Sequence, residues 1–139
     1  MKRLVAVGCL LLVSLSIFAA SLRSKTLVGT WKSNKEATLA YLQTHTQLSR
    51  EKLDMIGKAL GKMTITFTTT NVVMKSGDWN FSSPYDIVSE TREFVVIESN
   101  NPNTGRLTQD SFDLDGDSFW IRDARIPGYK ERFDRVVEK

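Results

Sequence analysis

Between Met63 and Thr68, apolar residues alternate with threonine at every position. Successive side chains of a strand point to opposite faces, so this pattern predicts a strand with one buried face in an antiparallel sheet. Further short β-prone segments continue to the C-terminus and are separated by turn-forming residues. They are predicted at 72–75, 79–81 with 85–89, 93–99, 107–114, 118–123 and 129–137.

Two details of this region predict how neighbouring strands align. Pro84 cannot donate a ladder hydrogen bond, so a bulge or a sheet edge is expected at Ser83–Pro84. Asp115–Gly116 is a strong signal for a two-residue hairpin turn. Such a turn would pair Phe112 with Phe119 across the two strands that it joins.

Ahead of the alternating region, the spacing of apolar residues becomes that of a helix. A β-prone segment, Thr26–Lys32, comes first, and Ser33 or Asn34 can cap the N-terminus of a short helix after it. Ser49 can cap a second helix in the same way. The apolar face of this second helix consists of Leu53, Ile56 and Leu60.

The order of elements is therefore one strand, two helices and about seven further strands joined by short turns. Turns this short cannot make the crossover that parallel neighbours need, so the sheet is predicted to be antiparallel. A meander of this length can remove its edges by closing on itself. We predict a mainly β domain whose antiparallel meander forms a small barrel or half-barrel capped by two helices. A β-sandwich is the alternative.

The N-terminus has the pattern of a secretory signal peptide. The basic pair Lys2–Arg3 precedes an apolar run from Leu4 to Ala20, and small residues follow up to Ser21. We predict that residues 1–21 are a cleaved signal peptide, that residues 22–139 form a single domain, and that the protein is periplasmic or secreted. A retained membrane anchor is the alternative, because the 17-residue run approaches the length of a spanning helix.

Composition limits the functions that are open to the chain. Its 139 residues are 41% hydrophobic and 25% charged, which suits one domain with one core. The single cysteine, Cys9, lies inside the predicted signal peptide, so no disulfide is expected in the mature chain. Removing that peptide lowers the formal net charge of +3 to +1, because Lys2 and Arg3 leave with it. Nucleic acid is therefore not a predicted partner.

No set of residues in the sequence forms a recognisable catalytic or metal-binding motif. His45 is the single histidine and lies in a polar break between the two predicted helices. Asp113, Asp115 and Asp117 lack the ligand spacing of an EF-hand, and hairpin turn chemistry accounts for them. We predict no catalytic residue, no metal site and no cofactor, and a protein that is not an enzyme.

Aromatic side chains are the better indication of a binding site. Trp79, Phe81 and Tyr85 fall on the predicted middle strands, and Phe119 and Trp120 fall on a late one. They either fill the core, as in most small barrels, or line a pocket.

In the pocket interpretation, hydroxyl, indole and guanidinium groups supply polar contacts to a ligand. Trp120 and Arg122 share one face of their strand. Phe119 and Ile121 take the other face, and only one of the two faces can point inward. The sequence leaves that choice open. The candidate ligand-binding residues are Trp79, Tyr85, Trp120 and Arg122.

The predicted helix pair carries an excess of basic side chains, Lys52 and Lys58 among them. Charge on the outer side of an amphipathic helix is common and requires no function. The alternative is a basic portal that contacts an anionic membrane surface, or an acidic partner, weakly through Lys52 and Lys58.

Gly29-Thr30-Trp31-Lys32 on the first predicted strand, followed by two helices and a meander, resembles the calycin superfamily. The layout is more similar to fatty-acid-binding proteins than to true lipocalins, and the composition resembles small secreted bacterial lipocalin-like proteins. The resemblance implies that Trp31 packs at the closed end of a barrel beneath an arginine of the last strand. Arg135 is the first candidate for that arginine and Arg132 the second. Gly29, Trp31 and Arg135 are the implied structural signature.

One motif of the fatty-acid-binding proteins is absent. Those proteins hold the ligand carboxylate with an Arg-x-Tyr near the C-terminus, whereas Arg132 is followed by Phe133–Asp134 here. The resemblance therefore implies a binding protein for a small apolar or amphipathic ligand, but not specifically for a fatty acid. The alternative function is a protein-interaction module, such as an inhibitor or envelope factor, with a filled barrel. The sequence indicates no particular oligomeric state.

Overall fold

A computed structural model describes residues 26–123 and 125–139, and the predicted signal peptide lies outside these ranges. Within them the chain forms eight strands and two helices. In chain order they are β1 Gly29–Ser33, α1 Lys35–His45, α2 Arg50–Ala59, β2 Met63–Phe67, β3 Asn71–Ser76, β4 Trp79–Glu90, β5 Phe94–Asn100, β6 Leu107–Asp115, β7 Ser118–Arg122 and β8 Lys130–Arg135.

The eight strands form one closed barrel in which consecutive strands are antiparallel neighbours. β1 and β8 also pair with each other, with Trp31 opposite Arg135 and Ser33 opposite Phe133. This last pairing joins the two strands that would otherwise be sheet edges. The prediction of a mainly β antiparallel meander with a helix pair is confirmed. The barrel is closed, so the half-barrel and the sandwich are excluded.

The two ends of the barrel are built differently. One end carries the β2–β3, β4–β5 and β6–β7 turns, and the segment Thr26–Val28 is hydrogen-bonded across it to β8. We call it the closed end. The opposite end carries the helix pair and the β3–β4, β5–β6 and β7–β8 connections. We call it the open end.

Pro84 does not interrupt β4, contrary to the prediction, because it lies where the strand changes partner. β4 pairs with β3 up to Pro84 and with β5 from Tyr85 onward. The missing N–H of the proline therefore falls between two runs of ladder bonds. The register shift in this strand lies further on, between Ile87 and Ser89.

The β6–β7 turn consists of Gly116 and Asp117, one position later than predicted. Phe112 consequently lies opposite Ile121, so the predicted pairing of Phe112 with Phe119 is wrong. Gly116 has φ +62°, which suits it to the first turn position, where hairpin turns require a positive φ. The register error is two residues, so both phenylalanines keep their predicted face. Their ring centroids are still 5.1 Å apart.

Side-chain caps define where both helices begin. The Asn34 Oδ1 accepts a hydrogen bond from the Ala37 N–H at 2.9 Å, and the Ser49 Oγ accepts one from the Lys52 N–H at 3.3 Å. Each cap satisfies a backbone donor that has no partner within the first turn. Asn34 rather than Ser33 caps α1, because the side chain of Ser33 belongs to the inner face of β1.

α1 extends the barrel wall beyond the end of β1. The Asn34 N–H donates to the Arg132 carbonyl at 2.8 Å, and the Arg132 N–H donates to the Thr38 hydroxyl at 3.0 Å. α2 packs on α1, where Gly57 lies against Leu39. α1 is thus bonded directly to β8, and α2 is held mainly through α1. No helix within the described ranges is long and apolar enough to cross a membrane.

Candidate functional site

Aromatic side chains fill the half of the barrel interior that is nearest the closed end. Their rings form a series in which neighbouring centroids lie 4.6–5.6 Å apart. None of them is more than 7% exposed. This half is a packed core. The series consists of Tyr85, Phe67, Phe112, Phe119, Trp31 and Phe133.

Trp31 lies at the closed end, and Arg135 covers its ring. The guanidinium carbon is 4.1 Å from the indole centroid, a cation–π geometry. The indole N–H donates to the Leu27 carbonyl at 2.8 Å. The Arg135 guanidinium donates to the carbonyls of Val28 and Thr26 at 2.8 and 3.0 Å. The tryptophan and the arginine together hold the segment before β1 across the barrel.

Gly29 leaves the space that this guanidinium occupies. A Cβ at position 29 would lie 2.6 Å from Nη1 of Arg135, and the residue has φ +135°. Glycine is therefore required here both by the close approach of Arg135 and by the backbone conformation. The contacts of Gly29, Trp31 and Arg135 are internal to the fold, so this set has a structural role.

The four predicted ligand-binding residues are not brought together in the structure. Tyr85 lies in the packed half, where its hydroxyl donates to the Thr68 carbonyl at 2.7 Å, and burial raises the pKa of Tyr85. Trp79 is at the rim of the open end, 42% exposed, and stacks on Phe81. The hydroxyl of Tyr85 therefore bonds to the β2–β3 turn at the closed end.

β7 places the other two predicted residues on the outer wall. Phe119 is fully buried, and Ile121 packs against the core, so these two form the inner face. Trp120 and Arg122 point outward, because strand residues alternate between faces. The interpretation in which Trp120 and Arg122 line the interior is therefore corrected.

Contacts on the outer wall account for both outward side chains. The Trp120 ring lies 5.0 Å from that of Tyr41 in α1, and the guanidinium carbon of Arg132 lies 5.6 Å from its centroid. Arg132, the second candidate for covering Trp31, thus covers Trp120. Arg122 forms an ion pair of 3.1 Å with Asp113. These contacts hold α1 against β7 and join β7 to β6 and β8.

Several apolar inner-face side chains near the open end remain partly exposed. A side chain inside a closed barrel can meet solvent only through space within the barrel or at its mouth. The open half of the interior is therefore accessible to solvent. Its apolar inner-face residues are Met63, Met74, Phe81 and Ile121.

Glu131 is an acidic residue on this inner face, two positions before Phe133 in β8. Its carboxylate accepts a hydrogen bond of 2.6 Å from the Ser33 hydroxyl, and the Gly61 N–H donates to the same hydroxyl oxygen at 2.9 Å. Glu131 thus lies where the helix pair rejoins the barrel. Burial raises the pKa of Glu131, although hydrogen bonds from Ser33 and Tyr129 act in the opposite direction.

Asp110 is another acidic residue on the inner face, and Glu90, opposite Val95 near the closed end, is a third. Asp110 lies opposite Ile97 of the core in the β5–β6 pairing, and cross-strand partners share a face. Burial raises the pKa of Asp110. Its carboxylate has no hydrogen bond or ion pair with any residue in 26–123 or 125–139.

Sequence reasoning missed Asp110 and Glu131, although a signal for each was present. Asp110 falls in phase with Phe112 and Leu114 along β6, and Glu131 falls in phase with Phe133 along β8. A charged residue in phase with the apolar face of a strand is therefore the pattern that could have identified them.

The histidine considered in the sequence lies outside the open half. His45 stacks on Tyr41 at the end of α1, with ring centroids 4.1 Å apart. Over the ranges that the structure describes, no three side chains of the types that bind metals come together. What the open half offers is an apolar interior with two carboxylates.

Comparisons with known proteins add one structural similarity. No protein-family model matches the chain, and no curated protein sequence matches it. Among solved structures, the chain is similar to a Schistosoma mansoni fatty acid binding protein in complex with arachidonic acid. The identity is 14%, the alignment covers 83% of this chain and 99% of that chain, and the TM-score is 0.44. The fold assignment rests on the strand pairing described above.

Proposed function

We propose that the protein is a binding protein, and not an enzyme, that takes up a small apolar or amphipathic molecule in the open half of its barrel. The observation that carries this proposal is the partial exposure of apolar inner-face side chains at the end covered by the helix pair. Moving one CH2 group from water into such an environment contributes about 0.8 kcal/mol. An alkyl chain that replaced solvent in this space would therefore be bound.

Two variants of adjacent β3 residues can test where a guest binds. Met74→Trp adds volume on the inner face of the open half, whereas Val73→Trp adds the same group to the outer wall. Titration calorimetry with 1-decanol should show saturable binding to the wild type. Overfilling the site should weaken that binding about tenfold in Met74→Trp, and Val73→Trp should bind like the wild type.

The same experiment separates the proposal from its alternative. Equal weakening in both variants would mean that decanol binds outside the barrel. An absence of binding to the folded wild type would contradict the proposal and favour the protein-interaction module with a filled interior. Native mass spectrometry of protein from its own source would then identify a natural ligand by its co-purifying mass.

We propose further that the protein acts outside the cytoplasm, after cleavage of residues 1–21. The support is the basic start, the apolar run and the small residues before Leu22. N-terminal sequencing of the protein from fractionated source cells should give a chain that begins at Leu22 in the periplasmic or secreted fraction. An intact N-terminus in the membrane fraction would show a retained anchor.

We also propose weak contact between α2 and an anionic membrane surface. Lys52 and Lys58 are exposed on this helix, and Met55 between them is 63% exposed. Each basic residue near an anionic bilayer contributes about 1 kcal/mol. The contact should be salt-sensitive, because the Debye length falls from about 30 Å at 0.01 M to about 8 Å at 0.15 M.

Co-sedimentation with phosphatidylserine-containing vesicles tests this contact at both salt concentrations. Lys52→Glu plus Lys58→Glu should reduce sedimentation at low salt. Lys32→Glu plus Lys75→Glu makes the same charge change on exposed barrel-wall positions and should reduce it less. Equal sedimentation of the two double variants would show that α2 is not the contact surface.

A further inference from the structure

A cavity of about 270 Å³ lies at the outer wall of the barrel. Its walls are the second half of α1, the ends of β7 and β8 that are nearest the open end, and the connection between these two strands. Arg122 of β7 and Lys130 of β8 line it from the outer face of their strands. The cavity shares no residue with the apolar inner face of the open half, so it is a different site.

Backbone contacts hold the connection that forms one wall of this cavity. The Ile126 N–H donates to the Asp123 carbonyl at 3.2 Å, and the Tyr129 N–H donates to the Ile126 carbonyl at 3.0 Å. At Gly128 the connection lies against the end of α1, where a Cβ would be 3.5 Å from the carbonyl oxygen of His45. Gly128 has φ +77°, a conformation that glycine adopts without strain. The wall is therefore bonded within itself and packed on the helix.

The two basic side chains that line the cavity are close to each other. Arg122 and Lys130 are cross-strand partners. Nη2 of Arg122 and Nζ of Lys130 bond to the same oxygen, Oδ2 of Asp113, at 3.1 and 3.0 Å. The two nitrogens are therefore no more than about 6 Å apart. A carboxylate can bridge two donors at this separation, because each hydrogen bond spans about 2.7–3.2 Å.

Asp113 uses only part of the hydrogen-bonding capacity of this pair. A guanidinium has five N–H donors and an ammonium has three. Arg122 directs two of its donors, from Nε and Nη2, to Asp113, and Lys130 directs one. Asp123, which also lines the cavity, pairs with Arg125 at 2.7 Å. Among the described residues, the charged side chains of the cavity and their ion-pair partners are three basic and two acidic, a net charge of +1.

The other side chains around the cavity are mainly apolar. Tyr41, Ile126 and Pro127 line it. The Tyr41 ring is held between that of His45, at 4.1 Å, and that of Trp120, at 5.0 Å. Apolar walls with a few polar groups at one place are typical of small-molecule sites, and sites for drug-sized ligands begin at about 300 Å³. This cavity is slightly smaller and suits a molecule with a single ring.

We propose that this cavity is a second binding site, which takes a small organic anion with an apolar body. The anionic group bridges Arg122 and Lys130, and the apolar body lies against Tyr41, Ile126 and Pro127. A carboxylate fits the basic pair, because it offers two acceptor oxygens and one negative charge. The site does not depend on the proposed function, because the apolar residues of the open half take no part in it.

Four probes test the ligand class. Benzoate, benzyl alcohol and benzylamine carry the same ring and differ in charge, and inorganic phosphate carries charge without a ring. Each is titrated into the 15N-labelled wild type at neutral pH, and the amide resonances of Ile126, Gly128 and Tyr129 are followed. Benzoate should shift them in a saturable way. Benzyl alcohol should bind about tenfold more weakly or less, benzylamine should not bind, and phosphate should bind more weakly than benzoate.

Three variants test the location. Arg122→Gln plus Lys130→Gln removes the basic pair and should weaken benzoate about tenfold or more. Lys32→Gln plus Lys75→Gln makes the same charge change on exposed barrel-wall positions and should change the affinity less than about twofold. Ile126→Trp fills the cavity from the connection, keeps every charge, and should weaken benzoate about tenfold or more.

The possible outcomes separate this site from the open half. Benzyl alcohol, benzylamine or phosphate binding as tightly as benzoate would overturn the proposed ligand class. Equal losses in the two double variants, an unchanged affinity in Ile126→Trp, or no saturable shift in the wild type would overturn the site itself. Benzoate shifts at the methyl groups of Met63 and Met74, with none in the connection, would place the acid inside the barrel, which would overturn this proposal and support the proposed function.

Discussion

The two ends of the barrel use the same strands for different purposes. On β2, Phe67 at the closed end is fully buried, whereas Met63 at the open end is only partly buried. On β3, Val72 and Met74 show the same difference. All four side chains point into the barrel. The alternation of residues along each strand therefore determines which side chains point inward, and their position along the strand determines whether they are fully or only partly buried. Packing at the closed end supplies stability that the open end does not have to provide.

Truncating one aromatic residue at each end of the barrel should give the largest difference in the free energy of unfolding. Trp31→Ala removes a buried ring together with its Leu27 hydrogen bond and its Arg135 contact. We expect it to lower the free energy of unfolding by about 3–5 kcal/mol. Phe81→Ala truncates a partly exposed ring at the open end and should cost about 1 kcal/mol. Urea unfolding of both variants measures the difference, and similar costs would contradict the division of the barrel into two halves.

The glycine beneath Arg135 offers a second comparison. Gly29→Ala forces a Cβ to within 2.6 Å of Arg135 Nη1, at φ +135°. We expect a loss of about 2–3 kcal/mol. Gly77→Ala, in the β3–β4 turn at the open end, also has a positive φ but meets no atom within 4 Å, so it should cost about 1 kcal/mol. Thermal unfolding gives both values, and a loss at Gly77 as large as that at Gly29 would show that the Arg135 contact contributes nothing.

Removal of the N-terminal cap should cost more stability in α1 than in α2. The Asn34 side chain caps α1 and also donates to Asp134 of β8 at 2.6 Å, so Asn34→Ala should cost about 1–2 kcal/mol. Ser49→Ala removes only the cap of α2 and should cost about 1 kcal/mol or less. Chemical unfolding followed by circular dichroism compares them. An unchanged stability in Ser49→Ala would show that α2 unfolds separately from the barrel.

The raised pKa of Glu131 predicts the direction in which stability changes with pH. A folded-state pKa above the unfolded value means that the folded chain holds its proton more tightly. The contribution of Glu131 to stability therefore falls as pH rises from the ordinary pKa of a glutamate to the raised one. Glu131→Gln should abolish this fall and should be more stable than the wild type at neutral pH. Unfolding measured from about pH 4 to pH 7 checks this against Glu98→Gln, and equal pH profiles for the wild type and Glu131→Gln would contradict it.

The alternation of apolar and polar residues predicted most of the fold, because it indicates which side of the sheet each side chain occupies. The error at Gly116 moved the pairing by two positions and so left every face unchanged. The face of β7 could not be predicted, because Phe119 and Trp120 are both large and aromatic. The outward position of Trp120 depends on its contact with Tyr41, which lies far away in the sequence. Depth within the barrel was equally hidden, so the phase of Glu131 with Phe133 could give its face but not its place near the open end.

Methionine methyl groups provide the most direct test of an accessible open half. Met63 and Met74 are inside it, whereas Met55 is 63% exposed on the outside of α2. In a protein labelled with 13C at the methionine methyl groups, titration with 1-decanol should shift the resonances of Met63 and Met74 in a saturable way. The Met55 resonance should stay in place. A saturable shift at Met55 with none at Met63 and Met74 would place the guest outside the barrel and contradict the account.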